Sequence, residues 1–192
     1  MNSYHLRFNR RHLLLTMFGL ALDRLALAET DGYKTIEWND LMPDPWVKEM
    51  TKEMAALSKM SYLQDTSDEA SKAMNAIRKK LDEAPIVKTQ LNKKIRIPGY
   101  AVPLDAERSE KREFLLVPYF GACIHTPPPP ANQIVLVRPT AQSKIKKMPE
   151  SMDVLWVEGE LKEGRVNTSQ GVSGYLLEAV SIAPYETKPA KR

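Results

Sequence analysis

The chain has 192 residues, 43% hydrophobic and 27% charged, which supports one globular core and excludes a chain disordered throughout. Its formal charge is +4, but four arginines and one aspartate fall in the first 28 residues; without them 24 basic residues face 23 acidic ones, a net charge of +1. No basic block interleaves with aromatics, so no nucleic-acid partner is expected, and the basic tail 187–192 reads as a solvated terminus.

Residues 1–28 have the three parts of a secretory signal peptide. Arg7, Arg10 and Arg11 form a basic start, Leu13 to Leu22 an apolar run, and Ala26-Leu27-Ala28 a small-residue cleavage site. The run is too short to span a bilayer stably, and Asp23 and Arg24 end it, so no permanent membrane anchor is expected after cleavage. The alternative is an amphipathic first helix of the folded domain. Arg10-Arg11 followed by His-Leu-Leu resembles a twin-arginine export signal, leaving that route and the general one both open. Either implies a soluble periplasmic protein. Its single cysteine, Cys123, excludes an internal disulfide, so stability must come from burial.

After the leader, the stretch 33–43 carries Ile36, Trp38 and Leu41 and reads as a short strand and turn. A helix follows, with Asp44 as N-cap and Pro45 at the first helical position, where a missing N–H costs nothing. Trp46, Met50, Met54 and Leu57 form its apolar stripe. A second helix is expected from about Thr66, with Glu69 completing a capping box. Ala70, Met74, Ile77 and Leu81 make its buried face, and Pro85 lies beyond its end. The methionines fall at helical spacing, so they are read as core rather than as soft-metal ligands.

From Leu91 the pattern is that of strands. Ile95 and Ile97 share a face, and Pro98-Gly99 reads as a bulge or kink. The runs 113–119 and 133–137 are nearly continuously apolar, as in strands covered on both sides or curled into a small barrel. Two further strands follow, 153–161 and 174–185, with Trp156 mid-strand and expected to be well buried. The expected class is α+β: a small curled antiparallel β-barrel, OB-like, with two N-terminal helices packed outside. The organisation predicted is 1–28 signal peptide, 29–90 N-terminal strand and helical region, 91–186 β-barrel domain and 187–192 basic tail.

The stretches Trp38–Pro43, Ile95–Leu104, Glu113–Val135, Val154–Leu161 and Ser173–Tyr185 resemble an exported bacterial family catalogued as domain of unknown function 3299. The resemblance covers the mature chain except a helical stretch near 62–88. It implies a small exported protein, in some members a lipoprotein, encoded in some cases beside transporter components linked to zinc supply. An inner-membrane transporter component is therefore the implied partner. No activity comes with the resemblance, and this chain lacks a cysteine for acylation at the leader's end.

Within Glu113–Val135, Cys123 and His125 stand two residues apart. In an extended chain they project from the same face. Gly121 permits close backbone approach before them, and Pro127, Pro128, Pro129 and Pro130 form a stiff wall after them. Three readings stand: a packed thiol with a satisfied imidazole, a metal or ligand site with zinc as the metal considered, and a thiol nucleophile served by His125. Tyr100, Tyr119 and Phe120 are candidate rim aromatics. Asn132 and Gln133 are candidate rim amides whose commoner role is to tie the loop to backbone. No catalytic residue is assigned. The function expected is a periplasmic binding or accessory module; the alternatives are a small thiol-dependent enzyme using Cys123 and His125, and a purely structural or interaction protein.

Overall fold

A computed structural model describes residues 32–58, 68–105, 110–121, 129–143, 145 and 147–186. Within them the chain runs β1 (Lys34–Thr35), α1 (Asp44–Ser58), α2 (Asp68–Asp82), β2 (Lys94–Pro103), β3 (Phe114–Val117), β4 (Val135–Pro139), β5 (Val154–Thr168) and β6 (Gly171–Pro184), with 3-10 turns at Trp38–Leu41, Lys88–Gln90 and Ala131–Gln133. The fold is mixed α+β, a sheet curled into a ring with two helices ahead of it. β2 pairs antiparallel with β3, β3 antiparallel with β4, β4 parallel with β6, β6 antiparallel with β5, and β5 antiparallel back to β2. β1 joins in parallel at Ile95 and Arg96 of β2.

Alternation decides what the ring holds. Ile95, Ile97, Phe114, Leu116, Val135, Val137, Leu155, Val157, Leu161, Tyr175 and Leu177 form one buried cluster from one face of the strands. On β3 and β4 the opposite face is covered too: Leu115, Val117, Ile134 and Leu136 form a second cluster with Val102 and Leu104. Continuous apolar runs are what two-sided burial demands, and each such side chain contributes about 1.5–3 kcal/mol by leaving water. The same alternation corrects the placement of Trp156. Leu155 and Val157 point inward, so Trp156 lies on the outer face, half-buried. There it stacks on Tyr185 with ring centroids 5.2 Å apart.

β2 is also unbroken at Pro98-Gly99, where a bulge or kink was expected. It pairs in continuous register with β5 from Lys94↔Glu160 to Tyr100↔Val154. The opposite edge explains why proline is tolerated. The Arg96 carbonyl accepts from Ile36 N–H at 3.0 Å on the β1 side, and residues two apart present their polar groups to the same edge. Pro98 therefore faces the gap between β1, which ends at Arg96, and β3, which begins at Tyr100. Its missing N–H has no strand to serve there. Its carbonyl accepts from the Trp38 indole N–H at 2.7 Å.

The first helix begins one residue ahead of the position read from sequence. The Pro43 carbonyl accepts from Val47 N–H at 3.1 Å, so α1 already includes Asp44. The expected start of the second helix at Thr66 lies outside the described residues, and α2 is described from Asp68. Met50, Ile77 and Leu81 are buried together against Trp46, a cluster separate from both ring clusters. Met54 and Met74, expected from their helical spacing to be core, are instead exposed, at 37% and 43%, since among the described residues the two helices bury only Met50, Ile77 and Leu81 between them.

Two side chains from the ring hold the helical region in place. The Tyr175 hydroxyl donates to the Leu41 carbonyl at 2.8 Å and accepts from Val87 N–H at 2.7 Å. The β5–β6 ladder shifts register between Glu163 and Val166, and such a bulge redirects a side chain. Arg165 from that bulge donates to the carbonyls of Asp82 and of Ala84, the latter at 2.8 Å. The Asp82 carbonyl is an orphan group at the end of α2, where a cation is favoured, and Ala84 lies just beyond it.

Candidate functional site

The segment expected to carry chemistry leaves β3 through Pro118, Tyr119, Phe120 and Gly121 and returns through Pro129, Pro130 and the 3-10 turn Ala131–Gln133. Cys123, His125, Pro127 and Pro128 lie outside the described residues. The flanks on either side of them are fixed points.

On the outgoing side, Gly121 is buried with φ +77°, a left-handed conformation that glycine adopts without penalty. Its N–H donates to the Met152 thioether sulfur at 3.4 Å. Met152 is itself left-handed, φ +67°, and its own N–H donates to the Ala101 carbonyl at 2.8 Å. The sulfur is thus referenced to β2. Phe120 is 66% exposed and meets Tyr100 edge to face, ring centroids 6.2 Å apart, a favoured aromatic geometry. Tyr119 beside it is 47% exposed.

On the returning side Asn132 is fully buried. Its Nδ2 donates to the Pro85 carbonyl at 2.9 Å, the backbone tie expected of such an amide. Its Oδ1 is buried and has no hydrogen-bond partner among the described residues. Gln133 is half-buried; its backbone N–H closes the turn onto the Pro130 carbonyl at 2.8 Å. The structure therefore brings Tyr100 and Phe120 together and places Asn132 and Gln133 on the second anchor.

Met152 was not anticipated from sequence. It stands in a polar turn 31 positions from Gly121, with no periodicity to mark it. The left-handed backbone and the fold-back onto Ala101 are tertiary facts with no local signature. Among the described residues no group of three or more His, Cys, Asp or Glu converges, and no helix is long and apolar enough to cross a membrane.

The architecture is that of a mixed α+β protein with a six-stranded sheet curled into a ring. Residues 38–184 match the sequence profile of a family described as protein of unknown function DUF3299, and the chain belongs to that family. It is similar to the crystal structure of a DUF3299 family protein from Pseudomonas aeruginosa: 32% identity, a TM-score of 0.57, and coverage of 81% of this chain and 98% of that one. No curated protein matches.

Proposed function

We propose that this protein is an exported, soluble binding or accessory module whose ligand site is the loop between β3 and β4, with Cys123 and His125 as its donors. The observation that carries this reading is the pair of anchored flanks. Gly121 is fixed by the Met152 sulfur at 3.4 Å, and Asn132 is fixed by its 2.9 Å bond to Pro85. Anchoring both sides of a short segment lowers the ordering cost of presenting two donors to one ligand. Phe120, exposed at the outgoing anchor, gives the site an apolar edge. We further propose that the ring is a small barrel of the OB type, whose closed Greek-key order leaves its loops free for binding. Export rests on the leader, and a transporter component is the partner the family resemblance suggests.

Zinc is the metal to try first. Thiolate and neutral imidazole are the binding forms, so zinc should raise the melting temperature at neutral pH. The effect should fade as pH falls below about 6.5, where an imidazole ordinarily protonates. Cys123→Ser and His125→Ala should each abolish the zinc shift and leave apo melting unchanged. Zinc-independent melting, with both substitutions lowering apo stability, would assign the pair to packing. Fast alkylation of Cys123 below pH 7 that slows in His125→Ala would assign it to thiol chemistry instead.

A further inference from the structure

Of the two methionines on α1, Met50 is buried and Met54 is 37% exposed, so core packing accounts for the first alone. What joins them is a groove of about 320 Å³ on the helical region, lined by Met42, Met50 and Met54 with Trp46 and bordered by Leu81 and Pro130. We propose that this groove binds a soft monovalent cation, copper(I) or its congener silver(I), through the three thioether sulfurs.

The chain brings the three side chains to one place by simple means. Met50 and Met54 are one turn apart on α1, and residues at i and i+4 are neighbours, with Cβ atoms about 5–6 Å apart. Met42 precedes the helix, its backbone set by a hydrogen bond from its N–H to the Asn39 carbonyl at 3.1 Å. Methionine has three rotatable bonds and a polarizable sulfur, so side chains lining one small groove can turn their thioethers onto a shared centre. Trp46 lies one turn ahead of Met50 and lines the same groove. An indole ring attracts a cation held within about 6 Å of its centroid.

The lining selects the ion. Among the described residues no charged side chain, imidazole or thiol borders the groove. Zinc, magnesium and calcium take thiolate, imidazole or oxygen donors. The one hydroxyl in the lining, on Thr51, already donates to the Val47 carbonyl at 2.8 Å. Neutral thioethers suit copper(I), a soft ion that carries a single charge into an apolar setting. The donors proposed in the β3–β4 loop are a thiol and an imidazole, so zinc tells the two sites apart.

The test is to label the methionine methyl groups with carbon-13 in the full chain carrying Cys123→Ser, which removes the competing thiol. The protein is then titrated with silver(I), a redox-inert probe. The methyl signals of Met42, Met50 and Met54 should move together and saturate at one equivalent, while that of Met74, exposed but outside the groove, stays in place. Zinc should leave all three unmoved. Met50→Leu and Met54→Leu, which nearly conserve volume, should each abolish the saturable shift of the remaining two with melting temperature unchanged. In the unsubstituted chain the same three signals should saturate by the second equivalent, so the test stands even if Cys123→Ser loses its fold. Silver that moves none of the three signals would overturn the proposal. So would equal movement of Met74, or a saturable shift of Met42 that survives both leucine substitutions together.

Discussion

Tyr175 is the residue on which most of the molecule converges. Its ring is buried in the ring cluster, while its hydroxyl joins the turn before α1 to the segment after α2. Burial raises its pKa to about 12, although the hydrogen bond from Val87 N–H works in the opposite direction. The sign of the consequence is fixed. A folded-state value of about 12 against an unfolded value of about 10 favours the neutral form in the fold. The associated stability is complete below pH 10 and declines as pH rises towards 12, by up to about 2–3 kcal/mol. Tyr175→Phe should cost about 1–3 kcal/mol at neutral pH, because it strands the Leu41 carbonyl and Val87 N–H. It should also remove that part of the alkaline decline. Urea melts of both proteins at pH 7, 10 and 11 measure the two effects. Trp156 makes a contrasting case. Half-buried on the outer face, it should lose only about 1–2 kcal/mol on substitution by alanine, the scale of a partial burial and one ring stack, and a loss of about 3 kcal/mol or more would return it to the core.

Among the elements, the β5–β6 hairpin is the one that reaches furthest. Its bulge at Gly164-Arg165 is secured by Ser173, whose hydroxyl donates to the Gly164 carbonyl at 2.8 Å. A Cβ on Gly164 would stand 2.5 Å from the Leu176 Cβ. Gly164→Ala should therefore shift the bulge and cost about 1–3 kcal/mol. Arg165→Ala, which leaves the strand intact, should speed amide exchange in the last turn of α2 more than in β2 or β6. Equal acceleration throughout would mean that the guanidinium contact with Asp82 and Ala84 holds nothing in particular. Elements were legible from the sequence where a local rule set them: helical spacing through Met50, Ile77 and Leu81, two-sided runs in β3 and β4, and the backbone role of Asn132. Trp156 was misplaced because strand membership does not say which face a tryptophan takes. Pro98 was misread because the gap that accommodates it is made by β1, more than fifty residues away along the chain. Arg165 acts across 83 and 81 positions and Met152 across 31, with no local pattern to announce them.

For the whole molecule, the proposal places a binding site in the β3–β4 loop of a sheet curled into a ring. The sequence singled out the loop through an unusual local cluster, a thiol and an imidazole ahead of four prolines, and the structure supplies the anchors on either side. Export is checked by the intact mass of the periplasmic protein, which should begin at Glu29; a species retaining Met1 in the membrane fraction would contradict it. The central claim, a binding module with its donors at Cys123 and His125, is tested most directly by native mass spectrometry of the protein purified without chelators. The account predicts a bound metal or small ligand that dissociates on denaturation, is recovered on refolding with zinc or the released ligand, and is missing from both Cys123→Ser and His125→Ala. A protein of bare polypeptide mass that takes up nothing on zinc addition, or a bound species retained by both variants, would contradict it.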